Sequence, residues 1–243
     1  MKSFKTFLSL VIITVLSCVL FAACSPKTLV MGTSADYPPY EFKEQSGEIV
    51  GFDVDIARRL AEKLKFTLEI EDMNFDNLIP ALTEGTVDFV MAGMSPTEER
   101  KQQVNFTEIY YKGSSILLTR RGSNFTLGDN APGAKIGAQK GSTQASAVGK
   151  LEGIELVEMD RIGNLIQGVK ENQLQGAVIE ATVAQTYAAS NPDLDFSVPF
   201  DTGSQGSAIA LPKDSPHLES FNKALREMEE NGEITELIRK WFG

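Results

Sequence analysis

Short apolar runs alternate along this chain with longer stretches that keep one apolar face at helical spacing, and the alternation occurs twice. The first series opens with a strand-like run over 29–32. Pro38 and Pro39 then predict a loop over 34–40, because proline neither continues a helix nor donates to a central strand. From Asp53 the apolar residues Ile56, Leu60 and Leu64 recur every four positions, with Arg58, Arg59, Glu62 and Lys63 between them, which predicts an amphipathic helix. A strand follows over 66–70. Asp76 is expected to cap a helix carrying Leu78, Ile79 and Leu82, with Pro80 tolerated in its first turn and Gly85 ending it. A buried strand over 88–92, a helix over 98–104 capped by Thr97 and a strand over 116–119 complete the series.

The second series repeats the pattern. A strand over 135–138, a turn at Gly141-Ser142-Thr143 and a helix over 144–151 are followed by a strand over 154–157. Ile162, Leu165, Ile166 and Val169 mark the next helix; a strand over 176–179, a helix over 181–189 and strands over 196–199 and 207–211 come after it. Helices over 216–230 and 234–242, separated by Gly232, close the chain. Short strands alternating with helices of about ten residues predict βαβ units, with sheets flanked by helices. Two series predict two α/β lobes. Open α/β sheets take ligands beyond the carboxyl ends of their strands. The loops after Gly32, Ala92, Ala138 and Ile179 therefore become the ones to search, and a cleft between lobes is the expected place for a small molecule.

The first residues follow another rule. Lys2 and Lys5 precede an uncharged stretch over 6–26 that is almost wholly apolar from Phe7 to Ala23. That is the n-region and h-region of a secretory signal. A membrane-spanning helix is the alternative, and about 17 apolar residues sit at the bottom of the spanning range. The end decides for the signal: Phe21-Ala22-Ala23-Cys24-Ser25 resembles a bacterial lipobox, with Phe where Leu is usual. Val15-Leu16-Ser17-Cys18 is a weaker competitor. Residues 1–23 are thus expected to be a lipoprotein signal peptide, Cys24 the lipidated mature N-terminus and 24–28 a tether. Loss of Lys2 and Lys5 would take the net charge from −10 to −12. No other thiol would remain, which excludes disulfides and thiol catalysis. Several acyl chains anchor stably where one does not, so the domain would face outward from a membrane that it does not span.

Charge narrows the classes further. With 23 Lys and Arg against 33 Asp and Glu, and no basic run longer than Arg120-Arg121 or Arg239-Lys240, the chain lacks a phosphate track and is not expected to bind nucleic acid. The single histidine, His217, is expected in the first turn of a surface helix, and any Ser-His-Asp or Cys-His arrangement would depend on it. Residues with zinc-ligand spacing are missing, so neither metal nor cofactor is expected.

Four features carry candidate chemistry. Gly93-Met94-Ser95-Pro96-Thr97-Glu98-Glu99-Arg100 joins a strand end to a helix start, where free N–H groups, the Ser95 hydroxyl and the two-pronged Arg100 cation suit a carboxylate; capped helix starts with a surface Arg are also common. Gly137-Ala138-Gln139-Lys140-Gly141-Ser142-Thr143 is a second such start. It is not a phosphate loop, which needs Lys directly before Ser or Thr, and it reads equally as an anion pocket or an ordinary glycine turn. Glu180, at a strand's carboxyl end, can serve the positive end of its own helix or receive an ammonium group. Tyr37, Tyr40 and Phe75 lie in or beside loops. Packing accounts for an isolated Phe75, whereas tyrosines flanking Pro38-Pro39 read better as cleft walls. A carboxylate clamp, an ammonium acceptor and aromatic walls together describe a site for a free amino acid.

In Gly32-Thr-Ser-Ala-Asp-Tyr-Pro-Pro-Tyr-Glu-Phe42, Gly51-Phe-Asp-Val-Asp-Ile-Ala57, Leu78-Ile-Pro-Ala-Leu82, Ala92-Gly-Met-Ser-Pro-Thr-Glu-Glu-Arg100, Gly141-Ser-Thr143 and Lys240-Trp-Phe-Gly243, the sequence resembles the polar amino-acid-binding proteins of bacterial ABC importers, in order from Leu29 to Gly243. The resemblance implies a two-lobed periplasmic-binding-protein-like α/β fold of type II. One lobe would comprise 29–117 plus 207–243 and the other 118–206, joined by a two-strand hinge near 117–119 and 205–208. It implies a monomer that closes on a free L-amino acid and delivers it to the permease and ATPase of an importer, on the outer face of the membrane or in the periplasm. By position, Arg100 would pair with the ligand carboxylate, helped by Ser95 and Thr143. Glu180 and the Gly93 carbonyl would meet the ammonium, Tyr37 and Phe75 would sandwich the side chain, Gln139 would read it, and Met94 belongs to the same binding segment. The family usually has Asp at position 180, so Glu180 reaches further. Aromatic walls with Asp36, Glu41 and Glu180 nearby favour a flat cation: arginine first, then lysine, histidine and glutamine. A cyclohexadienyl-dehydratase-like enzyme shares the architecture and is the alternative, although it would have little use for Glu180. A receptor or kinase sensor would need transmembrane and catalytic segments as well.

Overall fold

In the computed structural model, residues 26–127 and 132–243 are described; the expected signal peptide and Cys24 lie outside them. The first sheet has the order β5-β1-β6-β13-β7, formed by β5 (Thr67–Asp72), β1 (Thr28–Thr33), β6 (Phe89–Val90), β13 (Ala210–Leu211) and β7 (Asn105–Phe106). β1 runs parallel to β5 and β6, and β13 is antiparallel to β6 and β7. The second sheet has the order β10-β9-β11-β8-β12, with β10 (Ile154–Met159), β9 (Ala134–Gln139), β11 (Gly176–Glu180), β8 (Ser115–Arg120) and β12 (Leu194–Phe200). Its β9 is parallel to β10 and β11, while β8 is antiparallel to β11 and β12. The expected α/β lobes are therefore present, each with a parallel centre and antiparallel strands to one side.

Helices cover both sheets: α1 (Phe52–Leu64), α2 (Leu78–Glu84), α3 (Glu98–Gln103), α4 (Thr143–Val148), α5 (Ile162–Lys170), α6 (Ala181–Ser190), α7 (Leu218–Glu230) and α8 (Glu233–Phe242). The inward stripe of α7 is Phe221, Ala224, Leu225 and Met228, the i, i+3, i+4, i+7 set that a half-buried helix needs. Ile56 and Leu60 of α1 and Leu29, Met31 and Phe89 of the sheet are fully buried against it. Burying each such side chain stabilises by roughly 1.5–3 kcal/mol. In the second lobe Leu117, Ile136, Val148 and Val178 fill one face of the sheet, and Leu165, Val169 and Ile179 the other. No helix among the described residues is long and apolar enough to cross a membrane.

Three expectations need correction. The loop over 34–40 contains a strand, because the chain reverses there: the Tyr40 N–H donates to the Tyr37 carbonyl, and β2 (Asp36–Tyr37), β3 (Glu41–Lys43) and β4 (Ile49–Val50) form a small antiparallel sheet. Asp76 does not cap α2. It lies in a 3-10 turn, Phe75–Asn77, and its carboxylate turns across the cleft to Lys140 Nζ at 2.9 Å. The lobe boundary expected between 117 and 118 falls inside β8, whose residues from Ser115 onward pair in the second sheet. The chain crosses earlier, where Tyr111 bridges Ser207 and the Ser207 N–H donates to the Tyr111 carbonyl at 2.8 Å.

Candidate functional site

Both crossing segments open onto a cleft of about 360 Å³ between the lobes, at the carboxyl ends of the parallel strands. Arg100 enters from the first lobe. Thr97 caps α3 by accepting the Arg100 N–H at 3.3 Å, which fixes the first turn. The Arg100 side chain is only 9% exposed. One guanidinium nitrogen donates to the Ser95 carbonyl at 2.8 Å and another to the Gly141 carbonyl of the opposite lobe at 2.9 Å. The guanidinium carbon lies 5.2 Å from the Phe75 ring centroid, a cation–π distance. Burial lowers its pKa to about 10, so it stays charged at neutral pH. Among the described residues no carboxylate pairs with it. A buried cation with neutral partners only is costly unless an anion arrives.

Glu180 enters from the second lobe at 7% exposure. It ends β11 and caps α6: Oε2 accepts from the Thr182 N–H at 2.7 Å, the Val183 N–H at 3.0 Å and the Thr182 hydroxyl. The other oxygen, Oε1, is buried beside the Tyr40 hydroxyl and Gly113 but makes no hydrogen bond of normal geometry. A Cβ at position 113 would meet Oε1 at 2.7 Å, so the longer Glu fits because the crossing segment carries Gly113. Oε2 thus meets the helix-capping reading of Glu180, and the residue as a whole lines the cleft. Burial, the largest influence, raises its pKa.

Gly93 turns the loop after β6 with φ at +55°, a left-handed conformation that glycine adopts without strain, and a Cβ there would sit 3.4 Å from the Tyr37 ring. Tyr37, Tyr40 and Phe75 line the cleft, as do Gln139 and Thr143. Ser142 caps α4 by accepting the Ala145 N–H at 3.0 Å, and Gln139 donates to the Asp160 carbonyl at 3.3 Å. Eight of the nine expected ligand-binding positions share this one cleft. Met94 is the exception. Its side chain is buried in the first lobe among Phe75, Leu78 and Val104, behind the wall rather than on it.

The acidic residues expected near a cationic ligand are also engaged elsewhere. Asp36 accepts the Ile162 N–H at the start of α5, and its carbonyl accepts the Tyr187 hydroxyl at 3.0 Å. Glu41 points into the first lobe beside Asp53. Sequence reasoning missed Ser114, Gln144 and Ser204 of the cleft wall. They lie on or near the crossing segments, or in the first turn of a helix, and carry no periodicity; only the small polar character of 113–115 and 202–207 hinted at them. His217 begins α7, outside the cleft. Contacts join the lobes on both sides: Arg161 meets Asp72 at 3.0 Å, and Lys140 meets Asp76. These ion pairs bring the two lobes into contact across the cleft.

The family model of bacterial extracellular solute-binding proteins, family 3, matches residues 29–243. The chain belongs to this family. Among its relatives, the arginine-binding extracellular protein ArtP of Bacillus subtilis is 43% identical over 221 residues, covering 89% of this chain and 86% of that protein. A probable histidine-binding protein of Campylobacter jejuni is 30% identical over 88% of this chain and 84% of its own length. Among solved structures, an ancestral arginine-binding protein bound to arginine superposes with a TM-score of 0.85 at 35% identity, covering 90% of this chain and 100% of that one. A Salmonella typhimurium periplasmic binding protein of high arginine specificity gives 0.84 at 32% identity, with 89% and 100% coverage. The fold of this solute-binding protein is thus the expected type II periplasmic-binding-protein architecture.

Proposed function

We propose that this solute-binding protein captures a free basic amino acid, L-arginine before lysine, histidine and glutamine, between two closing lobes and delivers it to an ABC importer. The observation that carries the reading is the pair of half-satisfied buried charges, Arg100 on one wall and the Glu180 Oε1 on the other. A zwitterionic amino acid supplies both missing partners at once. Its carboxylate meets Arg100, the Ser95 hydroxyl and the start of α4 at Thr143; its ammonium meets Glu180 and the Gly93 carbonyl. Tyr37 and Phe75 flank the side chain, where a planar guanidinium stacks well, and Gln139 reaches its polar end. Relatives named for arginine binding agree with this choice. Ligand contacts to both lobes favour the closed form over the open one, with the crossing segments around Tyr111 and Ser207 as the hinge.

Cys24 carries the lipid in this reading, after removal of residues 1–23, and holds a monomer on the outer face of the membrane through the 24–28 tether. The dehydratase alternative would use Arg100 but leave the Glu180 Oε1 without a purpose. A thermal-shift screen of the purified protein against all free amino acids tests the reading. Arginine and its relatives should raise the melting temperature most, since a ligand at about 100 times its Kd stabilises by roughly 2.7 kcal/mol. Strongest stabilisation by acidic or aliphatic amino acids, or turnover of prephenate or arogenate, would overturn it.

A further inference from the structure

Two carboxyl groups lie together behind the Gly93 loop, outside the cleft. Glu41 of β3 and Asp53 in the first turn of α1 are both 0% exposed. Asp53 Oδ2 is well partnered: the Gly93 N–H and the Tyr110 hydroxyl each donate to it at 2.8 Å. Asp53 Oδ1 and both oxygens of Glu41 find no donor. Tyr110 is one residue from the interlobe bridge at Tyr111, and its own N–H donates to the Ser207 carbonyl at 3.0 Å. Asp53 therefore ties the ligand loop to the hinge, with an acceptor-only neighbour at its back.

We infer that Glu41 and Asp53 share one proton, Glu41 donating to Asp53 Oδ1, and that this unit is a positioning device which holds the Gly93 loop and the Tyr110 crossing segment in register for ligand capture. One proton supplies the donor that the three orphaned oxygens lack, and it avoids placing two ionised carboxylates side by side without water. The surrounding groups add no relief. From β2 and β5 the anions Asp36 and Asp72 act on Glu41 in the same sense, and the remaining titratable neighbours are Tyr37, Tyr40 and Tyr110. Lys43 and Arg161 are engaged with Asp72, and among the described residues no cation acts on either carboxyl. Burial first, and each other's charge for Glu41, push both carboxyls upward, Asp53 to about 7 and Glu41 well above the usual range. The inference extends the amino-acid reading to a pH response of the same site.

The test compares the wild-type protein with Glu41→Gln, whose amide donates to Asp53 permanently. Without ligand, the wild type should show the infrared band of a protonated carboxyl at pH 7, weakened in E41Q. Its Gly93 amide resonance should titrate on the alkaline side, where E41Q stays flat. With L-arginine, the wild-type Kd should match that of E41Q at pH 6 and exceed it several-fold at pH 9; the ligand's own titration cancels in the ratio. Melting curves establish that E41Q folds. Identical bands and identical Gly93 titrations in the two proteins would overturn the shared proton, and a pH-independent Kd ratio would overturn its positioning role. If arginine binds neither protein while the band and the Gly93 titration behave as stated, the amino-acid assignment falls and the proton-sharing pair stands.

Discussion

Arg100 and Glu180 occupy equivalent places on the two walls of the cleft, each at a helix start and each more than nine-tenths buried, yet they are held in different ways. Glu180 suits its place. A carboxylate at an N-cap satisfies two backbone N–H groups and the positive end of the α6 dipole, and it leaves the other oxygen without a hydrogen bond. Arg100 runs against the dipole of α3. It is held instead by the Ser95 carbonyl and, across the cleft, by the Gly141 carbonyl. The cationic wall therefore joins the lobes through a neutral carbonyl, whereas the hydrogen bonds to Glu180 Oε2 all come from the start of its own helix. The two charges thus differ in what they hold: Arg100 bridges the lobes, while Glu180 caps a helix of its own.

Breaking the comparison at Arg100 should have the largest effect. Arg100→Ala removes the partner of a ligand carboxylate and one interlobe hydrogen bond, and should weaken arginine binding by about 3–5 kcal/mol in calorimetry; unchanged affinity would end the assignment. Glu180→Gln retains a side-chain oxygen for the α6 N–H groups but not the charge, and should cost about 2–4 kcal/mol of binding with little loss of stability. Glu180→Ala should lose, in addition, about 1 kcal/mol of folding stability with the cap, read by denaturant melts. Phe75→Ala removes a wall and should weaken arginine by about 1–2 kcal/mol and small amino acids by less.

The smallest effect concerns closure itself. Arg161 and Asp72 join the lobes with side chains 30% and 13% exposed, so Arg161→Ala should cost about 0.5–1 kcal/mol and should shift solution scattering toward the open form. The shift should shrink at high salt, where the wild-type ion pair is already screened.

Much of this was legible along the chain because the helices that position the site have strong caps and clean apolar faces. Thr97, Gly85 and the α5 stripe of Ile162, Leu165, Ile166 and Val169 appear where the pattern puts them. Residue pairs such as β2 are too short to display a period, so the small sheet was hidden by Pro38-Pro39. Side-chain direction was the other blind spot. Met94 and Ser95 are neighbours, but the turn at Gly93 sends one into the core and the other to the cleft. Asp36, Glu41 and Asp76 have the charge that a cationic ligand would want, and only pairing and burial reveal that each is committed to another group.

The central claim is that one zwitterion with a basic side chain completes two half-satisfied charges on opposite walls. Calorimetric titration of the purified protein with each free amino acid tests it most directly. L-arginine is expected to bind tightest, with other polar or basic amino acids behind it. Tighter binding of an acidic or aliphatic amino acid, or no heat with any of them after unfolding and refolding to remove a co-purified ligand, would contradict it.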